Sequence, residues 1–171
     1  KLHKSAALAR LLVQAGAVGA CVQKTSEAEA LVAGGVTDIY ISNEVISLSK
    51  LERVAHMARA LEAKNGQISI AVDSVEGIRR LAAALDKVHA SMRVFVEIDV
   101  GQNRCGVQPG APALALAQEV LRHPQLHFAG LQAYHGKAQH LRSAAARAEA
   151  IQHVVQAVRS TRALIEAAGI P

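Results

Sequence analysis

Residues 67–100 read QISIAVDSVEGIRRLAAALDKVHASMRVFVEIDV. The stretch opens on a short apolar, β-branched run at 67–72 and closes on another at 93–100. Between them, 75–89 has the apolar periodicity of a helix, with Asp73 or Ser74 placed to cap it. Runs of the first kind are strand signals, and strand, helix, strand in succession is the sequence form of a parallel crossover unit. Both strands are apolar along most of their length, as expected when each face of a parallel sheet is covered.

The same alternation extends in both directions. Further strands are predicted at 17–22, 38–42 and 127–133, and helices at 5–14, 26–33, 49–64, 111–122 and 142–168. Ser26 as N-cap, with Glu29 three residues on, reads as a capping box. Ser49 is the N-cap predicted for the next helix, and Asn65-Gly66 its stop. Pro112 falls in a first turn, where proline is tolerated, and Gly169 ends the last helix. No strand is followed by a Gly-x-Gly-x-x-Gly loop, which argues against a dinucleotide-binding sheet. The expected fold is α/β, a partial TIM (β/α)8 barrel with strands missing at both ends and Lys1 closing one of them.

The 171 residues are 51% hydrophobic, enough for one sizeable core. Tyr40, Phe95, Phe128 and Tyr134 are the only aromatics, so Ala, Val, Leu and Ile must build it. The net charge is +5, but Lys and Arg are scattered among Glu and Ala and no basic run reaches four residues. Solvated helix faces are expected, and no nucleic-acid partner. Cys21 and Cys105 lie in apolar segments, which suits a reducing, cytoplasmic location. No apolar run is long enough for a membrane helix, and no signal-peptide pattern is recognised. The chain lacks an initiator Met and begins within a motif, so a piece of a longer polypeptide is expected.

In parallel α/β barrels the active site lies at the carboxyl ends of the strands. Here those ends carry Gln23-Lys24, Ser42-Asn43-Glu44, Asp73, Gly101-Gln102-Asn103-Arg104 and Tyr134-His135-Gly136, with Lys1 and His3 expected at the end of a strand missing from the front. Together they suit an anionic, planar, hydrogen-bonding ligand. Asp73 and Ser74 are expected to be helix caps, whereas Asn43 fits either role. Glu97 and Asp99 share a strand face and are expected to be an interior pair satisfied by Lys or Arg. His56, His89 and His153 are expected at the surface. Pro124 interrupts the His123 and His127 spacing, and His135 and His140 follow a strand end. No His/Cys/Asp spacing makes a strong metal site.

Lys1-Leu2-His3-Lys4-Ser5, Cys21-Val22-Gln23-Lys24-Thr25-Ser26-Glu27-Ala28-Glu29, Ile41-Ser42-Asn43-Glu44-Val45, Val96-Glu97-Ile98-Asp99-Val100-Gly101-Gln102-Asn103-Arg104-Cys105-Gly106-Val107 and Phe128-Ala129-Gly130-Leu131-Gln132-Ala133-Tyr134-His135-Gly136 follow one another along nearly the whole chain. In that order they resemble the D-threonine aldolase family, which includes D-3-hydroxyaspartate aldolase and, further off, D-serine dehydratase. The resemblance implies a barrel of the alanine-racemase N-terminal type with pyridoxal 5'-phosphate as cofactor. It implies that Lys1 carries the cofactor through a Schiff base. It also implies that Arg104 lies against the cofactor ring, that Tyr134 packs there, that Gln23 lines the same pocket and that His140 is the acid–base group.

The stretch that precedes the lysine in the family is absent here. The family's glycine-rich phosphate-binding segment, and its His and Asp ligands for a divalent metal (Mn or Mg), are expected beyond Pro171, the ligands in a β-rich second domain. Residues 1–171 are thus expected to be the cofactor barrel domain, without metal ligands of its own, and alone to be inactive or to lack most phosphate affinity. The implied reaction is retro-aldol cleavage of a β-hydroxy-D-amino acid to glycine and an aldehyde, with the cofactor as electron sink and His140 taking the hydroxyl proton. An arginine at the pyridine nitrogen, which holds its protons too tightly to transfer one to the ring, would keep that nitrogen neutral and discourage transamination. A dehydratase on the same fold and a non-catalytic cofactor-carrier barrel are the alternatives. A homodimer without nucleic-acid or membrane partners is expected.

Overall fold

The structure, a computed structural model, describes residues 4–171. Its elements are α1 (Ala6–Gln14), β1 (Ala20–Val22), α2 (Thr25–Ala33), β2 (Asp38–Ile41), α3 (Leu48–Glu62), β3 (Gln67–Val72), α4 (Val75–Asp86), β4 (Met92–Glu97), α5 (Ala111–Leu121), β5 (Leu126–Gln132) and α6 (Ala144–Ala167), with a 3-10 turn at Gly136–His140. The strands form one five-stranded sheet in the order β1-β2-β3-β4-β5, and every pair is parallel. The strand order never reverses, so right-handed crossovers put every connecting helix on the same face. That is barrel topology rather than a doubly wound sheet.

One side-chain contact shows how strongly the sheet curls. The Tyr40 hydroxyl of β2 donates to Gln132 Oε1 of β5. In a flat sheet these strands would stand roughly 14 Å apart. Direct contact therefore requires the inner face to close on itself, as a barrel wall does. A register shift where β4 meets β5, at Val94 and Phe95, adds to the bend.

Burial follows the predicted pattern. On α4, Ile78, Leu81, Ala82 and Leu85 are buried, one stripe at helical spacing that faces the sheet. Ser74 caps this helix, its Oγ accepting the Gly77 N–H at 3.2 Å, so the capping expected of it holds. On β3, Ile68 through Val72 are all buried, which places core on both faces. Each large core side chain contributes about 1.5–3 kcal/mol through removal from water. The long α6 buries little beyond Thr161 and Ile165. Thr161 Oγ1 accepts the Gly110 N–H at 2.9 Å and so docks α6 beside α5. Among the described residues no helix is long and apolar enough to cross a membrane.

Several boundaries differ from expectation for local reasons. The capping box of α2 does not use Ser26 and Glu29. Glu27 reaches back instead, accepting the N–H groups of Gln23 (3.0 Å) and Lys24 (3.2 Å). The Gln23 N–H, followed by the Lys4 ammonium 2.9 Å away, holds the Glu27 carboxyl down at about 2. Glu29 instead pairs with Arg53 of α3. Ser47, not Ser49, stands at the α3 cap position. Helix α4 ends at Asp86 rather than 89, because the chain tightens through Val88 and His89 bonds and turns at His89 with φ 51°. Strand β4 ends at Glu97 rather than 100, because the following backbone folds back to pair with Val107.

Leu81 is 1% exposed at the α4–sheet contact. Leu81→Ala should lower stability by about 2–5 kcal/mol, the range for a leucine cavity in a packed core, read as a lower urea midpoint.

Candidate active site at the carboxyl ends of the strands

Parallel pairing brings the loops after all five strands to one rim. The loop after β4 is closed by backbone hydrogen bonds. Asp99 N–H donates to the Val107 carbonyl (2.8 Å) and Val107 N–H to the Glu97 carbonyl (3.0 Å), so the chain makes a closed excursion. Within it, Asp99 Oδ1 accepts the N–H groups of Gly101 (2.9 Å), Gln102 (3.0 Å) and Asn103 (3.0 Å). Burial alone would raise the Asp99 carboxyl, but these three donors hold it below the usual carboxylate range. Gly106 is needed here. Its φ is +93°, and a Cβ would stand 2.7 Å from the Asp99 nitrogen and 3.1 Å from Glu97 Cγ. The Gly106 N–H donates to Asp73 Oδ2 at 3.1 Å, so Asp73 braces this loop rather than capping α4.

The loop delivers Arg104 to the ring of Tyr134, with the guanidinium carbon 5.6 Å from the ring centroid, a cation–π contact. Gln139, on the 3-10 turn, donates to the Tyr134 hydroxyl at 3.2 Å. The two loops interlock without spare room at Gly136, where a Cβ would collide with the Gln102 amide and come 2.9 Å from Tyr134 Cε1. Four buried side-chain atoms at this rim have no hydrogen-bond partner within the described residues: Thr25 Oγ1, Glu44 Oε1, Gln102 Oε1 and His135 Nδ1. A cation stacked on an aromatic ring, beside unpaired polar atoms, fits an anionic aromatic ligand such as pyridoxal phosphate.

Glu97 lies under this stack and is 3% exposed. Its Oε2 accepts from Gln132 Nε2, and its Oε1 is 3.9 Å from Arg104 Nη2. Burial first, and then the neighbouring Glu44 carboxyl, push Glu97 up to about 8. Burial and Glu44 likewise raise the Cys105 thiol. The expected Glu97–Asp99 pair is therefore split. Glu97 faces Arg104, whereas Asp99 is satisfied by backbone N–H groups. Glu44, Asp73 and Cys105 bring their ligand-type atoms within 4.8 Å of one another, a cluster that spacing along the chain could not reveal because it spans three loops.

The other expected site residues fall as follows. Lys1 and His3 lie outside the described residues. Gln23 is exposed and lines a cavity of about 380 Å³ with Asn43, Glu44 and Lys50. His140 is exposed at the end of the 3-10 turn. No hydrogen bond or ion pair joins Gln23 or His140 to Arg104 or Tyr134 among the described residues. His56, His89 and His153 are exposed, as expected. Tyr40 and Gln132 were missed as site residues. The available signal was a polar-tipped side chain inside an otherwise apolar strand.

The chain belongs to the alanine racemase N-terminal domain family, which matches residues 1–169. Within that class it is similar to a D-threonine aldolase from Arthrobacter sp, with 41% identity over 99% of this chain and 44% of that protein. It is 35% identical to a 3-hydroxy-D-aspartate aldolase from Paracoccus denitrificans, over 99% of this chain and 43% of that one. Its fold matches the crystal structure of D-threonine aldolase from Filomicrobium marinum with a TM-score of 0.93 and 39% identity, over 98% of this chain and 44% of that one. The chain thus spans less than half the length of these relatives.

The raised Glu97 carboxyl carries a sign for stability. Between the ordinary value of 4.5 and about 8, the folded chain keeps a proton that the unfolded chain sheds. Stability should therefore fall as pH rises through this window. Urea midpoints at about pH 5 and about pH 8 should differ in that direction, and Glu97→Gln should remove this part of the difference.

Proposed function

We propose that the whole protein is a pyridoxal-phosphate-dependent lyase that cleaves a β-hydroxy-D-amino acid, of the D-threonine or 3-hydroxy-D-aspartate kind, to glycine and an aldehyde. One observation carries this reading: Arg104 is stacked on Tyr134 at the strand ends of a chain 41% identical to a D-threonine aldolase. When bound, the cofactor supplies the electron sink for Cα–Cβ cleavage. This chain's residues supply the setting. Lys1 anchors the cofactor, Arg104 brings positive charge to its ring, Tyr134 packs against that ring, and Gln23 lines the pocket. His140 takes the β-hydroxyl proton as the Cα–Cβ bond breaks. Its exposed position, on the turn tied to Tyr134 through Gln139, leaves it open to a substrate.

The divalent metal implied by the resemblance draws its expected ligands from outside these residues, and no step above depends on it. Residues 1–171 form the cofactor domain of this reading, and the second, β-rich domain carries the metal. A cytoplasmic homodimer belongs to the same proposal.

The test is product analysis with the full-length protein, loaded with pyridoxal phosphate and given D-threonine or 3-hydroxy-D-aspartate. Glycine with an aldehyde is expected, and activity should fall when a chelator is added. A 2-oxo acid with ammonia would instead establish the dehydratase reading, and cofactor binding without turnover the carrier reading. Lys1→Ala should abolish borohydride-trapped cofactor. If Lys1→Ala retains it, Lys1 is not the anchor.

A further inference from the structure

We propose that Glu97 is a positioning residue for Arg104, held in place for that task by Gln132 and Tyr40. This rests on the reading that Arg104 faces the cofactor.

Arg104 is a long side chain on a loop, and its side chain is 44% exposed. Two contacts define where its charge sits. One is the Tyr134 ring, which is itself 48% exposed and also on a loop. The other is Glu97 Oε1, at 3.9 Å, at the end of a central strand and 3% exposed. Of the two, only Glu97 stands on a strand and is buried in the core.

Glu97 is in turn oriented by a directional line of hydrogen bonds. Tyr40 OH donates to Gln132 Oε1, and Gln132 Nε2 donates to Glu97 Oε2. The Gln132 amide turns its oxygen to the Tyr40 hydroxyl and its N–H to Glu97, so one side chain links the two. The Tyr40 ring meets Phe95 of β4 edge-on, with centroids 5.1 Å apart, and this packing holds the start of the line. Three strands thus contribute one residue each, across the interior of the curl.

The loop that carries Arg104 also packs directly on Glu97. The Cβ of any other residue at 106 would stand 3.1 Å from Glu97 Cγ. A buried carboxyl is costly unless it is matched, and an apolar side chain would fill a strand end at lower cost. The carboxyl adds what an apolar side chain lacks, an oxygen 3.9 Å from Arg104 Nη2 whose twin is already engaged by Gln132.

The experiment uses the full-length protein loaded with pyridoxal phosphate at about pH 9, where Glu97 is ionised and differs in charge from Gln, and reads the absorbance spectrum of the bound cofactor together with kcat and KM. The variants are Glu97→Gln, Glu97→Ala, Gln132→Leu and Arg104→Gln. Glu97→Gln should move the absorbance band in the same direction as Arg104→Gln. It should lower kcat by about 10–100-fold with KM within about threefold, the loss typical of a supporting partner. Gln132→Leu should reproduce a weaker form of the same shift. Glu97→Gln is nearly isosteric and carries the test even if Glu97→Ala does not fold.

A spectrum sensitive to Arg104→Gln but unchanged in Glu97→Gln, with kcat within about twofold of the parent, overturns the proposal. A spectrum indifferent to both variants overturns the reading of Arg104 on which the proposal rests. A shared spectral shift without aldol cleavage supports the positioning role while refuting the proposed reaction.

Discussion

Strand β4 is hydrogen-bonded on both sides, with residues 93–96 against 69–72 of β3 and residues 92–97 against 126–132 of β5. This two-sided parallel pairing sets the direction of everything around it. All five strands must end at one rim, and each loop that follows a strand must start there. The strands at the β1 side are short, three and four residues, and the sheet is longest where the candidate site lies. The curl then brings β2 and β5 into side-chain contact, so residues distant in sequence meet without a long loop between them.

Two buried glutamates illustrate how the same residue type serves different ends. Glu119 on α5 is 4% exposed and meets Arg79 at 2.7 Å, Arg122 at 2.9 Å and His123 at 3.5 Å. Arg79, the largest influence, holds its carboxyl below the usual range, and the cluster clamps α4 to α5. Glu97 is as deeply buried but meets one guanidinium at 3.9 Å and another carboxyl, so it is pushed the opposite way. The first arrangement balances its charge and is structural. The second leaves the carboxyl without a close cation at the strand-end rim and favours its protonated form, a perturbation that marks a candidate functional site.

Asp99 and Asp73 work on the same loop by different means. Asp99 gathers three N–H groups at the loop's start, and Asp73 takes the N–H of Gly106 at its end. Arg104 lies between these two clamps. His135 and Gln102 close the neighbouring space against Gly101 and Gly136. If Arg104 faces the cofactor as proposed, such scaffolding matters, because small displacements of a charge cost large factors in rate.

The sequence by itself determined the alternation of strands and helices, their parallel pairing and the rim at which Arg104 and Tyr134 would emerge. These depend on short-range quantities, namely apolar periodicity, β-branched runs and capping at Ser74, which neighbours along the chain decide. Boundaries were less legible where a distant partner competes. Glu29 looked like a cap until Arg53 of α3 was placed beside it, and β4 looked longer than it is because Val107 returns to pair with it. Only the tertiary structure decided that Glu97 and Asp99 part company, that Tyr40 reaches Gln132, and that Glu44, Asp73 and Cys105 converge. Those facts follow from the curl of the sheet and the fold-back of one loop. Both are long-range, and neither leaves a period in the sequence to read.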